Sequence, residues 1–163
     1  TEADLGPGLK AYSVSKAVSE RRAWQLAREH EMQLTTVRPC AIYGAHDVNI
    51  TPLIEKLARF PIAPIPAMTR ISFVYAGDVA DAVVRCLDRD ASIGKAYNTT
   101  AGDLTVMELI RAWRKAHGLK RGTLPVPVPL KRVFDISAAE RDLGWSNRSY
   151  ADGIAHMNSL LGG

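Results

Sequence analysis

Cysteine is scarce in this chain of 163 residues: Cys40 and Cys86 are its only two, and no CxxC pair occurs. That excludes a disulfide scaffold and a zinc ribbon, and a reducing, cytoplasmic setting is expected. Long apolar runs are missing too. None approaches the roughly 20 residues that span a bilayer, so no membrane partner is expected. Nor is there a block of like charge. The 21 Lys and Arg are interspersed with 17 Asp and Glu, as in Glu20-Arg21-Arg22 and Glu140-Arg141-Asp142, leaving a net +4. A nucleic-acid surface would gather its cations on one face, so no nucleic-acid partner is expected. His30, His46, His117 and His156 have no metal-ligand spacing, and no metal is expected. The chain opens at Thr1 without an initiator Met or a targeting segment, which reads as a piece of a longer protein.

What is present is a core. Hydrophobic residues make up 47% and charged residues 23% of the chain, the balance of a soluble globular protein. Gly6-Pro7-Gly8 marks a loop, and the apolar spacing of Val14, Ala17, Val18, Trp24, Leu26 and Ala27 predicts a helix from about Leu9 to Glu31. Leu34-Thr35-Thr36-Val37 is short and β-branched, a buried strand ending at Arg38-Pro39. Thr51-Pro52 predicts a helix start with Thr51 as cap, running to about Arg59. Pro61, Pro64 and Pro66 forbid a helix and predict an extended, loop-like passage. Ile71–Tyr75 reads as a strand, Asp78 as the cap of a helix through Leu87, and Ala96–Thr99 as a strand. Thr105-Val106-Met107-Glu108 and Ser137-Ala138-Ala139-Glu140 both read as capping boxes. Between them, the alternating Pro and Val from Leu124 to Leu130 cannot form a central strand. A last helix is expected from about Tyr150 to Leu161. The reading is α/β throughout.

Tyr12-Ser13-Val14-Ser15-Lys16 carries the chemistry. Tyr12 and Lys16 stand four apart and share one face of a helix. Free tyrosine, with a pKa near 10, is a poor base at neutral pH; a neighbouring ammonium favours the phenolate. Such a pair can move a proton to or from a substrate hydroxyl. YxxxK alone is common by chance. Here it opens a long helix, and a buried strand ending in Arg38-Pro39-Cys40-Ala41-Ile42-Tyr43-Gly44 follows.

YxxxK, then RPxxxYG after the next strand, resembles the extended short-chain dehydrogenase/reductase family of NAD-dependent epimerases and dehydratases. Phe73-Val74-Tyr75-Ala76-Gly77-Asp78-Val79-Ala80, Ala96-Tyr97-Asn98-Thr99 with Leu104-Thr105, and Leu143-Gly144-Trp145 before Ser149-Tyr150-Ala151-Asp152-Gly153 continue the likeness in order. The resemblance implies the C-terminal half of a Rossmann-like doubly wound parallel sheet plus a small α/β substrate-binding region. It assigns 1–50 to the cofactor-binding domain and 51–163 mostly to the substrate side, with about 71–90 returning to the first domain. It implies Tyr12 as general acid/base, Lys16 as partner of the nicotinamide ribose, and Pro39, Cys40, Ala41 and Ile42 as the stretch beside the nicotinamide of NAD or NADP. Arg70 and Arg132 are the candidate substrate contacts.

The likeness has gaps. The glycine-rich GxxGxxG turn that brings a pyrophosphate to a helix N-terminus is not among these residues. Alone, the chain is therefore expected neither to hold NAD(P) tightly nor to turn over. No Ser or Thr upstream of Tyr12 fits the family's third catalytic position. Arg70 is one position out of register with the family's substrate arginine, where Ile71 falls instead. The leading expectation is an epimerase, dehydratase or reductase acting on a sugar nucleotide or related secondary alcohol. A hydroxysteroid- or dihydroflavonol-type ketone reductase is the alternative, and a non-catalytic interaction module is the rival of another class. The helix bearing Val14, Val18 and Trp24 suits either a homodimer contact or burial against further strands.

Overall fold

The computed structural model describes residues 11–100 and 105–162. The Gly6-Pro7-Gly8 loop, the expected helix start at Leu9, and Leu104 lie outside them. Helix α1 (Ala11–Glu29) leads through a short loop into strand β1 (Thr36–Pro39), and after Cys40 the chain resumes as β2 (Ala41–Tyr43). Helix α2 (Ile50–Arg59) and strands β3 (Ile62–Pro66), β4 (Arg70–Ile71) and β5 (Phe73–Tyr75) follow, then α3 (Ala76–Leu87), a 3-10 turn at Asp90–Ser92, and β6 (Ala96–Thr99). The last part holds α4 (Val106–Ala116), β7 (Gly122–Val126), β8 (Lys131–Arg132), α5 (Ser137–Leu143) and α6 (Tyr150–Leu161). All pairing among named strands is parallel: β1 with β6, β2 with β5, β3 with β7 and β4 with β8. Parallel neighbours need crossovers, and the intervening helices supply them.

Strands β2 and β5 divide two cores. Side chains alternate across a strand, so Ile42 and Val74 face one side, Tyr43 and Tyr75 the other. On the first side Val74, Ala82, Tyr97, Ala139, Leu143 and Trp145 pack together, with Val37, Ile42 and Val79 against them. On the second, Tyr43 and Tyr75 join α2, α4 and α6 through Ile54, Leu109, Ile110, Trp113, Ile154 and Met157. Buried Arg114 fastens this second core by donating to the Ala58 carbonyl at 2.9 Å and the Thr123 hydroxyl at 2.6 Å.

Several local expectations change. The proline-rich passage is extended as expected, but Ile62–Pro66 is a paired strand rather than a loop: in a two-stranded sheet its prolines can sit where no ladder donor is needed. Thr51 does not cap α2. The helix starts earlier because the Asp47 carboxylate accepts from the backbone N–H groups of Asn49, Ile50 and Thr51, and Thr51 instead ties its hydroxyl to Gly44. Ser137 is no capping box either; Asp135 accepts from its N–H at 2.9 Å and Ile136 is the cap residue. Thr105 and Glu108 do form the reciprocal box. Asp78 is a helix residue rather than a cap. It is buried within the first turn of α3, pairs with the Arg148 guanidinium, and accepts from the Arg148 backbone N–H at 2.9 Å. Trp145 locks the same corner by donating to the Asp78 carbonyl at 2.8 Å.

Candidate active site

Four residues apart on the first turns of α1, Tyr12 and Lys16 lie on one face, and the Lys16 ammonium stands 5.5 Å from the centre of the Tyr12 ring. Tyr12 is 72% exposed, so its phenol is open to a reactant. One turn beyond Lys16, Glu20 fixes the helix to the sheet. A single carboxylate oxygen of Glu20 accepts from Arg38 at 2.8 Å and from the Thr36 hydroxyl at 2.9 Å. Burial pushes the Glu20 carboxyl up, but the Arg38 and Thr36 hydrogen bonds and the Arg38 charge outweigh it, and the net displacement is below the usual carboxylate range.

That anchor sets the height of the pair. Glu20 lies level with Thr36 and Arg38, and Tyr12 is eight residues earlier on the helix, about 12 Å along its axis at ~1.5 Å per residue. The strand needs three or four residues to cover that distance. Tyr12 therefore stands near the level of Ala41 and Ile42, past the carboxyl end of β1. Pro39 is exposed there, and Cys40, Ala41 and Ile42 are half-buried. Ligands of parallel α/β sheets bind at this end of the strands.

Three buried hydroxyls that sequence reasoning missed lie at the same end, the consecutive Thr99 and Thr100 side chains on opposite faces. Pro39 pairs with Thr99 and Ala41 with Phe73, so the register sets Cys40 between Thr100 and Ser72. Ser72, Thr99 and Thr100 are fully buried, and their hydroxyl oxygens meet no partner among the described residues. Nothing in their local pattern advertises this, because the juxtaposition comes from strand pairing. Glu20 did leave a signal, standing four residues after Lys16 on the same helix face.

The other tyrosines lining the second core are poor acid–base candidates. Burial pushes the Tyr43 and Tyr75 phenols above their ordinary range, and Tyr150 up to about 12. Tyr43, Tyr75 and Tyr150 form an aromatic cluster, with ring centres 5.7 Å and 6.1 Å from Tyr43. His156 donates to or accepts from the Tyr75 hydroxyl at 2.8 Å.

On the substrate side, Arg70 and Arg132 lie on the paired strands β4 and β8, Arg70 beside Lys131 and Ile71 beside Arg132. Thr105 hydrogen bonds hold the Glu108 carboxyl below the usual range, and the charges of Arg70 and Arg111 add to this. Ile71 packs against the second core. Among the described residues no group of His, Cys, Asp and Glu is placed to hold a metal, and no helix is long and apolar enough to cross a membrane.

The model of the NAD dependent epimerase/dehydratase family matches residues 2–99, more than half of the chain. The chain belongs to that family. It is 25% identical over 158 residues to the UDP-glucose 4-epimerase of Vibrio cholerae, covering 82% of this chain and 48% of that protein. It is 26% identical over 125 residues to the ceramide reductase of Caulobacter vibrioides, covering 76% and 38%. The fold matches the crystal structure of UDP-N-acetylglucosamine 4-epimerase from Bacillus cereus with a TM-score of 0.82 at 22% identity, over 100% of this chain and 59% of that one. The chain thus spans about half or less of the curated relatives it matches.

Proposed function

We propose that this chain is the catalytic and substrate-side half of an NAD(P)-dependent oxidoreductase that exchanges a hydride at a secondary alcohol or ketone, with Tyr12 as general acid/base and Lys16 as its partner. The observation that carries the reading is the Lys16 ammonium beside an exposed Tyr12, on a helix anchored so that both stand past the carboxyl end of β1. In this reading the first core and its strands complete a Rossmann-like doubly wound sheet, and the second core is the substrate-binding region.

The residues present suit the nicotinamide end of the cofactor. Lys16 can donate to ribose hydroxyls, and Pro39 to Ile42 can run beside the ring. The pyrophosphate cradle needs a glycine turn that these 163 residues do not contain. The bound cofactor supplies a hydride acceptor or donor. In the reductive direction the substrate carbonyl carbon takes the hydride, its π pair moves to oxygen, and that oxygen takes the Tyr12 proton. Oxidation reverses each movement. Relatives that include a UDP-glucose 4-epimerase and a ceramide reductase support the shared step, a hydride exchanged at a C–OH or C=O centre.

The test is Tyr12→Phe in the whole protein carrying the cofactor-binding half. Loss of the acid/base is expected to lower kcat by about 10²–10⁴, with the melting temperature unchanged because Tyr12 is exposed. Wild-type turnover in that variant would sink the assignment of Tyr12 as the acid/base.

A further inference from the structure

Six of the nine prolines, Pro61, Pro64, Pro66, Pro125, Pro127 and Pro129, lie in or beside the ribbon of β3 and β7. Their positions follow the ladder. In an extended strand the N–H and C=O of one residue point to the same edge, and those of the next residue point to the other. The Gly122 N–H donates to the Pro61 carbonyl and the Ala67 N–H to the Val126 carbonyl, both at 2.9 Å. Residues 61, 63, 65 and 67 therefore turn their backbone groups towards β7, and residues 122, 124 and 126 turn theirs towards β3. Pro61 gives this shared ladder only its carbonyl; Ala63, Ile65, Ala67, Gly122, Leu124 and Val126 all carry an N–H. Pro64 and Pro66 fall on the outer edge of β3, and Pro125 on the outer edge of β7. Proline has no N–H, so within the strands those outer edges keep only the Ile62 and Thr123 donors.

The edges need such treatment. Among the described residues β3 pairs only with β7 and β7 only with β3, so each outer edge ends a sheet. Ile65 is buried in the second core, and on the opposite face Ile62 and Leu124 are 64% and 56% exposed. No charged side chain occurs in Ile62–Pro66 or Gly122–Val126. An uncharged, extended edge beside exposed apolar side chains is a template for a strand of another chain.

We infer that Pro64, Pro66 and Pro125 guard this ribbon against pairing with the ribbon of a second copy. A strand laid along either outer edge finds carbonyls but a single donor within the strand, and that is too few to form a ladder. Nothing in this depends on the role of Tyr12.

The experiment restores the donors in the whole protein, with Pro64→Thr and Pro66→Thr together on one edge and Pro125→Thr separately on the other. Pro61→Ala is the control. It too loosens the unfolded chain by losing a proline, but the N–H it gains faces β7. Light scattering over a concentration series reads the mass, and circular dichroism confirms folding. Both outer-edge variants are expected to associate beyond the wild-type assembly, their mass rising with concentration towards twice the wild-type value, while Pro61→Ala keeps the wild-type mass. Association confined to one edge places the guard there. Wild-type mass in both outer-edge variants would overturn the inference. Equal association of Pro61→Ala would overturn it as well, since lost stability rather than an edge donor would then be the cause. Should one outer-edge variant fail to fold, the other decides.

Discussion

Helix α6 reaches the aromatic cluster only because residue 153 is glycine, and substituting it tests how the second core is packed. A methyl group at Gly153 would sit 2.3 Å from the Tyr43 hydroxyl oxygen and 3.3 Å from both Tyr43 Cζ and Tyr75 Cβ. Tyr43 is 1% exposed and its ring is held between Tyr75 and Tyr150, so it has little room to withdraw. Overpacking of this kind costs about 1–3 kcal/mol. Alanine in a helix interior returns about 1 kcal/mol relative to glycine. Gly153→Ala is therefore expected to destabilise by up to about 2 kcal/mol, or up to about 4–8 °C in melting temperature for a chain of this size. The control is Tyr43→Phe, which removes the offending oxygen and leaves the 3.3 Å contacts as the tightest. Added in that background, Gly153→Ala should cost nothing or stabilise slightly. Urea denaturation of the four proteins gives the coupling directly, expected at about 1 kcal/mol or more. Equal costs in both backgrounds would refute the packing argument.

Glu20→Gln should loosen the anchor of α1. It leaves the Arg38 guanidinium, only 19% exposed, without its anion, at a cost of about 1–3 kcal/mol. In the whole protein kcat should fall further than KM changes, because the pair that it positions is displaced; steady-state kinetics check this. Arg148→Ala should cost more stability than Asp78→Asn, about 2–3 against about 1 kcal/mol, since only the first strands a buried carboxylate. Chemical denaturation of both variants decides it. The Lys95 and Arg141 hydrogen bonds hold the Asp142 carboxyl down to about 2. Because its folded value is depressed, the pairing stabilises above the unfolded value of about 3.9 and is lost as pH falls towards 2. The stability gap between wild type and Asp142→Asn should thus be present at pH 5 to 7 and close between about pH 4 and 2 in pH-resolved melting curves.

Local chemistry made much of the architecture readable. The reciprocal Thr105–Glu108 box, the helix stop at Gly144 (φ 58°) and the terminal helix from Tyr150 follow from neighbours within a few residues. Tyr12 and Lys16 were legible for the same reason: helical geometry alone sets residues four apart on one face. The misread caps show the limit of that logic. Asp47 and Asp135 took over helix starts that Thr51 and Ser137 had the sequence pattern to make, because a carboxylate placed before the turn accepts more donors than one hydroxyl.

Asp78 marks the boundary more sharply. As a sequence feature it is a good helix-start residue, but its partner is Arg148, 70 positions away, brought close only when α6 and Trp145 close over α3. Glu20 meets Arg38 in the same manner, and Ser72 and Thr100 come level with Cys40 only through the pairing of β1 with β6 and β2 with β5. The sequence by itself determined the α/β order, the family motifs and the Tyr12–Lys16 pair, all of which rest on short-range spacing along one chain. The height of that pair over the sheet and the commitment of Arg148 to Asp78 were decided by tertiary structure. Parallel pairing joins strands far apart in sequence, and no local period records which residues those joins bring together.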